Sequence, residues 1–251
     1  MRRRQMKLKK VLVIALGILL LAVVGFVVWG STPLGPDDAA LAALQSDAQV
    51  TVSQMPGVIV FAPVGDFPTK GLVFYPGGRV DYRAYAPTLK EIARGGVLVA
   101  LPAMPLNLAV FSPNRAQEII YAYPQIEQWV VGGHSLGGAM AAEFAADRAD
   151  QVDGLVLWGS YPADQNDLTQ SGLHVLSVYG SEDGQVEKIR ASSVLLPENA
   201  VFLEIEGGNH AQFGSYGTQP GDGAASISAV EQWRRAAEAV LELMESLETQ
   251  D

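Results

Sequence analysis

The chain has 251 residues, 49% of them hydrophobic and 18% charged, with a formal net charge of −10 and no cysteine. That length suits one sizeable domain and that balance a globular one, while the missing cysteine excludes disulfides, thiolate metal sites and a cysteine nucleophile. Setting aside Arg2, Arg3, Arg4, Lys7, Lys9 and Lys10 leaves −16 on residues 11–251, an acidic balance that repels phosphate backbones and argues against a nucleic-acid partner.

Those six cations form a basic flank over residues 1–10, and residues 11–30, VLVIALGILLLAVVGFVVWG, contain no charge. Twenty helical residues rise about 30 Å, the thickness of a hydrocarbon core. A basic flank stays on the cytoplasmic side, so the segment reads as a single-pass anchor in the cell membrane with the remaining chain outside the cytoplasm. The alternative is a cleaved signal peptide, whose apolar region is usually about 7–15 residues and ends at a small-x-small site. This run is longer, and no clear Ala-x-Ala follows it. Residues 31–49 read as a linker, STPLGPDD, and a short helix capped by Asp37 or Asp38.

Residues 50–251 read as one α/β domain. VTVSQ (50–54) and GVIVFAP (57–63) flank Met55-Pro56-Gly57 as a hairpin. Apolar strands are then predicted at 71–76, 97–102, 128–134, 154–160, 174–180 and 200–208. Between and after them fall helical patterns at 82–96, 113–124, 136–149, 186–195 and 228–248, the last long and amphipathic. Such alternation predicts a mostly parallel, doubly wound sheet of about 7–8 strands with helices on both faces. Ligands in such sheets bind beyond the carboxyl ends of the strands.

At one of those ends stands Gly133-His134-Ser135-Leu136-Gly137, a Gly-x-Ser-x-Gly pattern between a strand and a helix of small residues. That turn strains the serine backbone to expose its hydroxyl, and small neighbours make room for it. A serine hydroxyl needs a base, and there are three histidines. His134 lies inside the turn and cannot fold back onto Ser135, which predicts a packed or hydrogen-bonded role behind it. His174 opens a strand in a structural role. His210 follows the last strand in EIEGGNHAQFG and is the candidate base. A carboxylate to orient it comes from VYGSEDGQV, with Asp183 first and Glu182 second. Ser135, Asp183, His210 is the chain order of one hydrolase fold among the known triad arrangements. The oxyanion of acyl transfer needs two N–H donors. One is expected from Leu136, and the other from Gly78, or Arg79 beside it, in the glycine-rich loop after the third strand.

Taken together, YPGG (75–78), GGHSLGGAMA (132–141) and GGNHAQFG (207–214) resemble the α/β-hydrolase family, in its compact bacterial branch of serine esterases and dienelactone-hydrolase-like enzymes, over residues 50–247. The resemblance implies a serine hydrolase of small carboxylic esters or thioesters working through an acyl-enzyme, without metal or cofactor, as a monomer. Two departures stand out: Pro76-Gly77-Gly78 replaces the lipase-type His-Gly-Gly, and dienelactone hydrolases carry cysteine where this chain has Ser135. An amide or peptide hydrolase of the same fold and a non-catalytic surface binding module are the other readings. Residues 161–172, YPADQNDLTQSG, have too little apolar surface to form a lid. The loop after His210 is also lidless, with Phe213 and Tyr216 expected to wall one side of the pocket. An open site of this kind predicts short acyl groups.

Overall fold

The computed structural model describes residues 2–247. Helix α1 runs Arg2–Gly30 and α2 Asp38–Ala43, capped by the Asp37 carboxylate. The strands are β1 (Val50–Met55), β2 (Val58–Pro63), β3 (Lys70–Tyr75), β4 (Leu98–Pro102), β5 (Gln128–His134), β6 (Gly154–Trp158), β7 (His174–Gly180) and β8 (Val201–Ile205). Between and after them lie α3 (Ala86–Arg94), α4 (Arg115–Ala122), α5 (Leu136–Asp147), α6 (Val186–Ala191) and α7 (Ala229–Ser246). The eight strands form one sheet in the order β1-β2-β4-β3-β5-β6-β7-β8. The β1–β2 and β2–β4 pairs are antiparallel, and all others are parallel.

Both faces of this sheet are covered, which is why its strands read as continuous apolar runs. Along β3 the side chains alternate. Leu72 and Phe74 enter one core beneath α3 and α7, while Val73 and Tyr75 enter the other beneath α4 and α5. The small residues of α5 (Ala141, Ala142, Ala145) let that helix lie close to the sheet. Six parallel strands therefore end at one edge, and β3, β5, β7 and β8 each hand the chain to a loop there.

The predicted helix at 82–96 begins as a 3-10 turn (Tyr82–Tyr85) before α3, with Asp81 accepting from the Arg83 N–H. Between β4 and α4 the chain folds as two further 3-10 turns, 105–107 and 109–111. The linker is tied down over much of its length. Leu34 bridges Val80, through Leu34 N–H to Arg79 O (2.7 Å) and Asp81 N–H to Leu34 O (2.9 Å). The Asp37 N–H then reaches Ser215 O at 2.8 Å.

Candidate active site

Ser135 is held between β5 and α5 with φ 52° and ψ −122°, a conformation costing a non-glycine residue roughly 1–3 kcal/mol that persists only where surroundings enforce it. They do so here. A Cβ on Gly133 would strike the Gly137 carbonyl, and one on Gly137 would strike the carbonyls of Tyr75 and Pro76. The Ser135 N–H donates to Trp158 O (3.0 Å), and Ser135 O accepts from the Ser160 hydroxyl (2.7 Å). The turn is thus clamped to the end of β6.

His210 Nδ1 lies 2.8 Å from Asp183 Oδ2, and both side chains are buried. Asp183 sits in the turn after β7, where its other oxygen accepts from the Gln185 N–H (2.8 Å). Glu182 points to the surface beside the Ser181 hydroxyl. Gly159, with φ +50°, passes directly under the His–Asp pair. A Cβ there would lie 2.9 Å from both Asp183 Oδ2 and His210 Nδ1. Ser135, Asp183 and His210 line one cavity of about 490 Å³, shared with Leu136, Ser160, Tyr161 and the segment Gln219–Asp222. No hydrogen bond joins Ser135 Oγ to His210 among the described contacts, as is common before substrate tightens such sites.

Phe213 and Tyr216 do not wall this cavity. Both are buried beneath the loop, with Phe213 stacked on Trp158 (5.7 Å, 23°). Their apolar area gains more from the core than from an open cleft, so the wall falls to the polar Gln219–Asp222 turn. Residues 161–172 form no helix or strand, as expected, and Leu168 pins them to the core.

Gly78 packs against the first turn of α5. A Cβ on it would lie 3.0 Å from Leu136 Cδ2. Neither the Leu136 nor the Gly78 N–H has a hydrogen-bond partner among the described residues. The Arg79 N–H is occupied by Asn107 O (2.8 Å), and its guanidinium turns away to Trp29 O (3.0 Å) and Thr32 O (2.7 Å).

Several supporting groups escaped the sequence reading. The Tyr85 hydroxyl accepts from the Gly77 N–H (2.9 Å) and faces His134 Nδ1 at 2.8 Å. One hydroxyl thus ties the Gly77 N–H to the His134 ring, whose buried Nε2 has no hydrogen-bond partner among the described residues. Burial, then the neighbouring His210, depress the His134 pKa well below 6.5. The His134 ring lies 4.4 Å from that of His210, behind the turn as expected, and packs beneath that imidazole. His174 is half-buried near Ser246. The Asp222 carboxylate accepts from the N–H groups of His210 (3.1 Å) and Ala211 (2.7 Å). Gln232, fully buried on α7, clamps Asn209 both ways, with Oε1 accepting from its N–H (3.0 Å) and Nε2 donating to its carbonyl (2.7 Å). A glutamine on the same stripe as Ala236 and Val240 was the one signal available in sequence. Among the described residues no group of three or more His, Asp or Glu side chains is placed to hold a metal ion.

Residues 71–234 match the family model described as the alpha/beta hydrolase family. The chain belongs to that family, a family of hydrolytic enzymes. A comparison with curated protein sequences returns no match. Solved structures similar to this chain include a predicted CIB-like hydrolase from Thermoplasma acidophilum, at 16% identity and TM-score 0.54, covering 77% of this chain and 98% of that one. A dienelactone hydrolase from Anabaena variabilis matches at 15% and 0.54, with coverage of 77% and 98%. Est1E from Butyrivibrio proteoclasticus matches at 12% and 0.54, with coverage of 79% and 100%. At these identities the likeness is one of fold.

Proposed function

We propose that the protein is a membrane-anchored serine hydrolase that cleaves small carboxylic esters or thioesters through Ser135, His210 and Asp183. The observation that carries this reading is the buried His210–Asp183 pair at 2.8 Å, sharing one cavity with a serine held at φ 52°. Ser135 Oγ attacks the acyl carbon while His210 Nε2 takes its proton, and Asp183 stays ionised to hold the imidazole by Nδ1–H and stabilise the imidazolium. The oxyanion is received by the N–H groups of Leu136 and Gly78. Collapse expels the alcohol or thiol, which takes the proton back from His210. Water then attacks the acyl-enzyme, giving up its proton to His210, and releases the carboxylic acid. The Tyr85 bridge sets the oxyanion loop relative to the serine turn, because one hydroxyl binds both.

Anchoring rests on the single helix, Lys9–Gly30, that among the described residues is long and apolar enough to cross a membrane, with an unburied 18-residue window of mean hydropathy 3.3. The basic flank puts the catalytic domain outside the cytoplasm. Detergent-dependent sedimentation with membranes, and protease access to the domain in intact spheroplasts, test that arrangement. Intact domain protected until lysis would reverse it.

For the chemistry, a serine-directed phosphonate should label wild type and not Ser135→Ala, and a panel of p-nitrophenyl esters and aminoacyl anilides separates ester from amide cleavage. Removal of the nucleophile costs about 10⁶ in rate, and Asp183→Asn about 10⁴ through the wrong histidine tautomer. Labelling of Ser135→Ala at the wild-type rate would refute the assignment.

A further inference from the structure

The anchor does not leave the domain at an arbitrary place. Helix α1 ends on the carboxyl edge of the sheet. The Gly30 carbonyl accepts from Asn107 Nδ2 at 2.9 Å, and the Arg79 guanidinium sits 4.5 Å over the Trp29 ring. Arg79 follows Gly78 of the oxyanion loop, and a Cβ on Gly78 would lie 3.0 Å from Leu136 and 3.7 Å from Leu108. The anchor's exit, the 103–114 segment and the serine turn are therefore one packed unit. Neighbouring parallel strands are about 4.8 Å apart, so the ends of β3 and β4 under the anchor lie only a strand or two from Ser135.

Depth follows from the same contacts. Phe26 stands four residues before Gly30, which is about 6 Å of helix rise. Its ring meets Phe111 edge-on at 6.2 Å. Phe111 is 50% and Val110 44% exposed, and the twelve residues 103–114 carry no charge. If Lys9–Gly30 spans the hydrocarbon core, Trp29 lies at the core's outer boundary, where such rings concentrate, and Phe111, level with Phe26, dips about 6 Å beneath it. The domain cannot lift away, because three residues (31–33) separate α1 from the Leu34–Val80 bridge, a reach of about 10 Å at full extension.

We infer that the carboxyl edge of the sheet, with the mouth of the Ser135 cavity, faces the outer membrane surface, seated there by Val110 and Phe111, so that the enzyme takes short acyl groups from amphiphilic alcohols resident in the bilayer. This rests on the anchored-hydrolase reading. The shallow cavity takes the acyl part, and the long apolar part of the substrate is its alcohol, which stays in the leaflet.

The chain lacks cysteine, so Phe111→Cys in the full protein carries a single fluorophore; Glu245→Cys, exposed near Lys70 at the opposite edge, is the reference. Both are reconstituted into phosphatidylcholine vesicles containing lipid spin-labelled near the glycerol. The probe at 111 should lose most of its emission and the probe at 245 almost none. In the same vesicles, Val110→Asp/Phe111→Asp should cut hydrolysis of the acetyl ester of an alkylated hydroxycoumarin embedded in the bilayer about tenfold, by loss of two apolar contacts, and leave p-nitrophenyl acetate unchanged. An unquenched probe at 111 in vesicle-bound protein, or an equal fall in both ester activities, overturns the inference while the anchor stands. Protein that does not stay with vesicles overturns the anchor and the inference together. Quenching at 111 with no hydrolysis of either ester overturns the hydrolase reading and the substrate class, but not the seating.

Discussion

Tyr85→Phe isolates one oxygen atom. The ring stays, so no cavity opens, but the Gly77 N–H and His134 Nδ1, now 2.9 and 2.8 Å from that oxygen, lose their partner. Tyr85 and His134 are both fully buried, so water does not replace it. An unsatisfied buried polar group costs about 1–3 kcal/mol, which for two gives about 2–6 kcal/mol, and a chain of this size loses about 2–4 °C of Tm per kcal/mol. The loop carrying Gly78 also loses its tie to the serine turn, so kcat should fall while KM changes less, because the proposed oxyanion donors would act on the transition state. Urea unfolding of the full chain in mild detergent, followed by tryptophan fluorescence, reads the first effect and p-nitrophenyl acetate turnover the second. Tyr216→Phe is the control: its hydroxyl makes only a 3.2 Å bond to Gln219 in the loop. A loss under about 0.5 kcal/mol for Tyr85→Phe, within the range of ordinary surface substitutions, with kcat unchanged, would refute the bridge.

Gly159→Ala places a methyl against the His210–Asp183 pair at a backbone φ of +50°. Esterase activity should drop by orders of magnitude more than stability predicts, and wild-type turnover would disprove that contact. His134 has its pKa depressed in the folded state, so the unfolded chain binds the extra proton. Stability should therefore be constant above pH about 6.5 and fall below it by up to about 1.4 kcal/mol per pH unit, a slope that His134→Asn should reduce; an unchanged slope measured by urea titration counts against it. Gln232→Ala frees both backbone groups of Asn209 and should destabilise by about 2–6 kcal/mol; denaturant midpoints check it. Among soluble p-nitrophenyl esters, C2 to C6 acyl groups should turn over faster than C12, because the Gln219–Asp222 wall adds little of the roughly 0.8 kcal/mol per buried methylene. Faster C12 turnover below micelle formation would sink the open-site reading.

Much of the fold was legible because its signals are local. Apolar runs bounded by glycine and proline marked every strand, and α7 showed its buried stripe from Ala236 to Leu243 in periodicity alone. Gly133, Ser135 and Gly137 were legible because a serine at positive φ leaves its neighbours no room for a Cβ, and that demand is written in adjacent residues. His210 and Asp183 could be shortlisted because both follow strands. Local pattern ranked Asp183 ahead of Glu182 without showing why: one step along a turn decides which carboxylate points inward, and in the structure it is Asp183 that packs against Gly159 and His210. The contact of Tyr85 with His134, the clamp of Gln232 on Asn209 and the stacking of Phe213 on Trp158 join residues 23 to 55 apart in the chain, so no local pattern contains them; Asp222 lies 12 residues from His210 but in a loop with no periodicity to place it. Above all, the sequence by itself determined that an apolar helix precedes a hydrolase domain. Only the tertiary structure decided where that helix leaves it, because Trp29, Arg79, Asn107 and Phe111 come from separate segments that meet only once the parallel strands have brought their carboxyl ends to one edge.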